Sequence, residues 1–297
     1  MPSLILTPSR SGFLLVLLAA GCGSPAHPLY ELEPKPEPRV VEPDRFNPAS
    51  TGAIRGVVAW SGSIPDVPPF HVFISTAGAP GATGLRANPN VPRVDPASHG
   101  VEGAVAFLRG VDPPAAQPWH LPRVRVELGD RQIVVHTDES SASNIGIVRL
   151  GDTFDMVSMQ SEMQGLRGRG ADFFTFLLPD PNRAMERKPP RKGLIELTSP
   201  AHHFWQRAYL FVDDHPYYSR TDRDGRFTLT QVPAGRYEVV CWLPNWKEID
   251  RDRDPETCQF SRLRYGPPVE RTNSVAVEPG GSANVNFTIT SDLFHGK

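Results

Sequence analysis

Three histidines are the side chains of this sequence with the plainest capacity for chemistry, and two of them are adjacent. His202, His203 and His215 carry imidazoles, which suit zinc or copper. Adjacent histidines on a strand point to opposite faces, so His202 and His203 can serve one ion only across a bulge. The expected arrangement is that one packs and the other hydrogen-bonds. All three stay candidates, and no metal is assigned. Ser199, Ser219, Asp213 and Asp214 add the residue types of a nucleophilic triad. Such types coincide in most chains, and only geometry identifies a triad. The sequence has no nucleophile elbow, zinc-protease helix or phosphate loop, so no catalytic residue and no cofactor are assigned and the chain is expected not to be an enzyme. The run Asp250-Arg251-Asp252-Arg253-Asp254 superficially suggests calcium, but Pro255 and Ser261 stand where an EF-type loop needs Gly and Glu. It reads as a solvated, self-paired loop.

Cysteine supplies the remaining reactive groups, at Cys22, Cys241 and Cys258. Arg10, the apolar stretch Phe13 to Leu18 and the small residues Ala19-Ala20-Gly21 have the three parts of an export signal, too short in its apolar core to span a bilayer stably. The run from Leu17 to Cys22, Leu-Leu-Ala-Ala-Gly-Cys, resembles a bacterial lipobox. That resemblance implies lipidation at Cys22 and cleavage before it, with several acyl chains making a durable anchor. Gly23 is not the aspartate that retains lipoproteins at some inner membranes. The expected location is therefore extracytoplasmic, lipid-anchored at the outer membrane of a Gram-negative bacterium. An exported chain with two further cysteines invites a Cys241–Cys258 disulfide, which contributes about 3 kcal/mol in the entropic account.

Residues 23 to 50 are rich in proline and charge, with Pro34-Lys35-Pro36-Glu37-Pro38 favouring polyproline II, and read as a semi-rigid tether. Beyond it, short β-rich runs bounded by Gly, Pro and Asp recur, and no helical period lasts beyond two turns. The fold class is all-β. Proline-rich stretches at Ala77 to His99 and Asp180 to Arg191 read as long loops. The net charge of −2, with no basic stripe, makes nucleic acid an unexpected partner. Trp205, Tyr209, Tyr217, Tyr218, Trp242 and Trp246 could form a sugar-stacking face, though most are expected to be core or interface anchors.

The runs Thr221-Asp222-Arg223-Asp224-Gly225-Arg226-Phe227 and Val232-Pro233-Ala234-Gly235-Arg236-Tyr237 closely resemble carboxypeptidase regulatory-like domains, which are small prealbumin-like sandwiches. Gly52-Ala53-Ile54-Arg55-Gly56-Val57-Val58 resembles the first strand of such a domain, which leaves open a fold that starts at residue 52 and is interrupted by an insertion. Upstream, the order Val101 to Leu108, Leu150 to Phe154 and His203 to Tyr209 is similar to plastocyanin-like (cupredoxin) proteins. That resemblance implies two histidines, a cysteine and a methionine as copper ligands. His203 matches one histidine, Gln206 stands where methionine would be, Ser199 or Pro200 replaces the thiolate, and Gln160 to Leu166 holds no histidine. The implied scaffold has lost its type 1 copper site.

The expected organisation is a signal peptide at 1–21, a lipidated linker at 22–51, and two Greek-key or prealbumin-like β-sandwich parts. These are a cupredoxin-like part at 52–199 and a regulatory-like part at 200–290, before a tail at 291–297. The expected role is a non-catalytic binding or structural module at the cell envelope, with the membrane and an unknown protein or glycan as partners. Copper handling or electron transfer, and carbohydrate binding, are the alternatives.

Overall fold

A computed structural model describes residues 45–76, 79–137, 142–200, 203–253, 255–256 and 260–294. Cys22, His202 and Cys258 lie outside them. The chain is all-β: the described residues contain no α-helix, only short 3-10 turns at Pro48–Ser50, Pro113–Ala115 and Ser291–Phe294.

The first strands are β1 Thr51–Ser61, the hairpin β2 Phe70–Thr76 and β3 Ala79–Arg86, the short pair β4 Arg93–Val94 and β5 Val101–Glu102, and β6 Val105–Arg109. A second group runs β7 Arg125–Leu128, β8 Ile133–His136, β9 Ala142–Ser143, β10 Ile145–Arg149, β11 Phe154–Ser158 and β12 Gln164–Gly170. It continues as β13 Phe174–Leu178, β14 Met185–Arg187, β15 Gly193–Thr198 and β16 Arg207–Asp213. The last group is β17 Tyr218–Arg220, β18 Arg226–Pro233, β19 Gly235–Leu243, the hairpin β20 Glu248–Arg253 and β21 Phe260–Tyr265, then β22 Val269–Val277, β23 Ser282–Asn284 and β24 Phe287–Thr290.

These strands form two sandwiches, and the expected boundary between residues 199 and 200 does not separate them. The outer sandwich pairs β1 with β18, β23 and β24 in one sheet and orders β17-β6-β19-β22 in the other. It is therefore assembled from both ends of the body. Its core joins Ile54, Val58 and Trp60 to Leu229, Val239, Phe287 and Ile289. The inner sandwich, orders β10-β16-β15-β12-β13 and β14-β11-β7-β8-β9, is inserted between β6 and β17. It closes over Val126, Phe154, Leu166, Leu197 and Leu210. The Gly52 to Val58 run lies in strand β1 of the outer sandwich, which the inner one interrupts between β6 and β17. Parallel pairing of β1 with β24, from Val58↔Phe287 to Ser61↔Thr290, closes it. Phe294, expected in a tail, is fully buried with its ring centroid 4.1 Å from that of Trp246.

The Asp222–Gly225 turn shows how local sequence holds this long-range closure. Asp222 Oδ1 accepts from the Arg226 amide at 2.8 Å, and the Gly225 carbonyl accepts from the Val58 amide at 2.8 Å. Gly225 has φ +76°, and a Cβ there would stand 2.2 Å from the Val58 carbonyl oxygen. Only glycine permits both the conformation and the approach.

Other segments depart from their sequence reading. The Ala77 to His99 stretch, expected as a loop, carries β3, which pairs with β2, and the Asp180 to Arg191 stretch carries β14, which pairs with β11. Asp250 to Arg253, expected in a loop, belong to strand β20, and Arg264 of β21 contacts both Asp250 and Asp252 across the hairpin.

The two sandwiches meet on a third, apolar layer. In β6, Ala106 and Leu108 enter the outer core while Val105 and Phe107 face the other way; in β19, Cys241 and Leu243 alternate with Val240 and Trp242. In β16, Ala208, Leu210 and Val212 fill the inner core, and Tyr209 and Phe211 turn to the seam. Phe211 stands at 5.7 Å from Phe107, 5.5 Å from Tyr218 and 5.1 Å from Trp242, centroid to centroid. The continuous apolar runs of β6 and β16 are what two-sided burial requires.

Removing the central ring should therefore loosen the whole body. Phe211→Ala is expected to cost about 3–5 kcal/mol in urea unfolding followed by tryptophan fluorescence. A loss below about 1 kcal/mol would refute the seam as a stabilising layer.

Candidate functional site

The two-residue alternation of β16 places Arg207, Tyr209, Phe211 and Asp213 on the seam face. The apolar middle of that row is closed, and its two charged ends open into clefts. At the Asp213 end a cleft of about 430 Å³ is lined by Phe107, Arg109, Lys192, Asp213, His215 and Tyr218, among others.

Hydrogen bonds fix the groups at this end. Tyr218 Oη donates to Asp213 Oδ2 at 2.7 Å, and His215 Nε2 lies 3.3 Å from the same oxygen. Lys192 Nζ lies 3.4 Å from Asp213 Oδ1 and also pairs with Asp214. The Tyr217 amide donates to His215 Nδ1 at 3.4 Å, which assigns the proton to Nε2, facing Asp213. The imidazole is buried and stacks on Tyr218, with centroids 5.7 Å apart.

Burial opposes ionisation of Asp213, but the Tyr218 hydroxyl, His215 and Lys192 outweigh it and hold the carboxyl below its usual range. Burial pushes His215 below the usual imidazole value, with Asp213 and Asp214 opposing only in part. Tyr218 is raised by burial and by Asp213. Lys192 is raised because its two carboxylates outweigh the cost of burial. At neutral pH this is a carboxylate held by a cation, a phenol and a neutral imidazole. Neither imidazole nitrogen has a lone pair directed at an open position.

The other candidates are elsewhere. His203 and His215 flank opposite ends of the seven-residue β16, roughly 20 Å apart at strand rise. The structure therefore does not gather the histidines into one site. Among the described residues no three His, Cys, Asp or Glu side chains form a metal-holding group. His203 packs against Trp205, centroids 5.1 Å apart, and Gln206 Nε2 donates to the carbonyls of Gly129 at 2.7 Å and Asp130 at 3.1 Å. Gln206 thus ties β16 to the β7–β8 turn. Ser199 is buried at the His203 end of β15. Ser219 points to the opposite face of β17 from Tyr218 and accepts from the Thr228 amide at 3.4 Å. Among the described residues no serine lines the cleft with His215 and Asp213.

The expected aromatic anchors are in place: Trp205, Tyr209, Tyr217, Trp242 and Trp246 are buried. Tyr217 Oη accepts from the Gln117 amide at 2.9 Å and donates to the Gln231 carbonyl at 2.8 Å. Sequence reasoning did not single out Lys192 or Arg207, because nothing local separates them from other surface-type cations. Their shared signal is parity with the apolar seam residues of β15 and β16.

Of the expected disulfide, only one end lies within the described residues. Cys241 is a free, fully buried thiol of the outer core, and burial pushes its pKa up to about 12.

No known protein family matches the chain, and no curated protein matches it. Among solved structures, an oxidised amicyanin variant is similar over 30% of this chain and 81% of its own, with 14% identity and a TM-score of 0.24. A purple cupredoxin from Nitrosopumilus maritimus matches 31% of this chain and 98% of its own, at 13% identity and TM-score 0.23. A copper-containing nitrite reductase from Thermus scotoductus SA-01 matches 35% of this chain and 25% of its own, at 12% identity and TM-score 0.25. The class defined by the strands themselves is an all-β protein of two packed sandwiches.

Two measurements follow from the buried groups. The folded pKa of His215 lies below its unfolded value near 6.5, so the unfolded chain binds more protons below that pH. Its contribution to stability is lost as pH falls from about 6.5 toward the folded value. The stability difference between the native chain and His215→Gln should therefore shift against the native chain between pH 7.5 and 5.5, as read by urea midpoints. A pH-independent difference would contradict the assignment. Cys241 should be silent to a thiol reagent at pH 8 in the native protein. In guanidinium without reductant Cys241 should react, and its failure to react would restore the expected bridge to Cys258.

Proposed function

We propose that this chain is a lipid-anchored, extracytoplasmic binding module of the bacterial cell envelope, without catalytic activity of its own. The observation that carries the reading is the double-sided burial at the seam. It fixes two sandwiches against each other, so that charged clefts at its two ends are held rigidly, as a pre-organised binding surface requires. The lipobox-like run ending in Cys22 and the proline-rich segment after it support attachment by a tether to a membrane, with the outer membrane as the expected site. The ligand class left open by this reading is a protein or a glycan-sized molecule.

The outer sandwich is proposed as a carboxypeptidase regulatory-like domain, supported by the Asp222–Gly225 turn, the Val232–Gly235 turn and the closure of β1 against β18. The inner sandwich is proposed as a cupredoxin-like scaffold that does not build a type 1 copper centre. Such a centre needs a thiolate beside imidazoles. Cys241 belongs to the outer core, and Ser199 is a hard, neutral oxygen.

Attachment is tested by mass spectrometry and fractionation. The mature protein should begin at a lipidated Cys22 and sediment with outer membranes, and Cys22→Ser should release it into the soluble fraction. A native chain recovered uncleaved, or fully soluble, would refute the anchored reading.

A further inference from the structure

The opposite end of the seam, where β16 begins, is a separate site. Arg207 is buried at 4% exposure and pairs with Glu196, while its Nη2 donates to the Leu263 carbonyl of β21 at 2.8 Å. Its guanidinium lies 4.5 Å from the ring centroid of Tyr265. The β20–β21 hairpin thus folds over this end and contributes Arg262, Arg264 and Tyr265 to a cleft of about 290 Å³. Leu194, Pro244 and Ile249 give it an apolar wall.

Three arginines meet three carboxylates here, but the pairing is uneven. Arg264 is held by Asp250 and Asp252, and Arg207 by Glu196. Arg262 has no ion-pair partner among the described residues. Arg169, opposite Glu196 in the strand register, also presses on it. Burial first, and then Arg169 and Arg207, push Arg262 below the usual guanidinium range, which Glu196 and Asp252 oppose without overcoming. Around this cleft three buried polar atoms lack a hydrogen-bond partner among the described residues: Tyr265 Oη, Arg207 Nε and Arg262 Nε. Two are guanidinium donors and the third is a phenol, and unpaired buried donors of this kind are costly unless something accepts from them.

We infer that this cleft binds the oxyanion of a small organic carboxylate or phosphate, with Arg262, Arg207 and Tyr265 as donors and the Leu194–Pro244–Ile249 wall against the apolar part of the ligand. Guanidinium forks match both oxyanions, and a fixed phenol adds a third donor. The volume suits a compact ligand rather than a polymer. The inference rests on the binding-module reading and adds a small anionic ligand to the protein or glycan partner that reading leaves open.

The test is calorimetric titration of the full chain with phenyl phosphate, benzoate and the neutral benzyl alcohol. At least one anion should bind, with benzyl alcohol about tenfold weaker or undetected, and the stronger of the two anions identifies the headgroup. Arg262→Gln, at a partly exposed position, should weaken anion binding by about tenfold, and Tyr265→Phe by several-fold. Both variants should keep the native circular dichroism. Equal binding of alcohol and anions, no binding of either anion, or anion binding unchanged by Arg262→Gln would overturn the inference while leaving the module reading intact. Release of phenol from phenyl phosphate that Arg262→Gln abolishes would instead overturn the non-catalytic reading.

Discussion

Packing of Phe107, Tyr209, Phe211 and Trp242 into one layer is the constraint on which the body depends. A sheet buried on one face leaves the other in water, and most sandwiches end there. Here β6 and β19 of one sandwich and β16 of the other are apolar on both faces, so neither sandwich can be solvated alone without exposing aromatic surface. Tyr209 and Trp242 meet at 5.0 Å and 70°, and Phe211 and Trp242 at 5.1 Å and 88°. These geometries suit aromatic quadrupoles and fix the rotation of one sandwich on the other.

That layer also explains why an insertion between β6 and β17 is tolerated. The inserted sandwich leaves the outer one after β6 and re-enters it at β17, and these two strands are hydrogen-bonded neighbours, Phe107 opposite Tyr218. The interruption therefore breaks no sheet. Polar groups close what the apolar layer leaves open. Tyr209 Oη donates to Asn90 Oδ1 at 3.1 Å, and Asn90 Nδ2 donates to the Asn245 carbonyl at 2.8 Å. Thr221 Oγ1 donates to the Val101 carbonyl at 2.6 Å and accepts from the Ala104 amide at 2.9 Å, which pins the re-entry point.

The charged ends of the seam follow from the same alternation. β16 must show its odd-numbered residues to the other sandwich, and this places Arg207 and Asp213 at the two margins of one apolar row. Each is desolvated on one side and reaches a cleft on the other. The Asp213 end is internally compensated by Lys192, Tyr218 and His215, and the Arg207 end is not compensated to the same degree. The β framework thus carries two electrostatically different recesses, each placed by strand parity.

The sequence by itself determined the strands and their turns wherever the cause is local. Gly225 after Asp222, the alternation in Arg226 to Leu229 and the run Tyr237 to Leu243 specify the final hairpins, because turn chemistry and period-two burial act over a few residues. It also determined that Trp242, Tyr209 and Tyr217 would be anchors, since rings of that size must be buried. Only the tertiary structure decided that Thr51–Ser61 closes against Phe287–Thr290, because pairing between distant segments leaves no local mark. It likewise turned the acid-and-arginine run at 250 to 253 into a strand, through partners on β21 that its own composition does not reveal. The histidines show the same limit: His203 and His215 look like neighbours in sequence, and one extended strand between them places them at opposite ends of the seam.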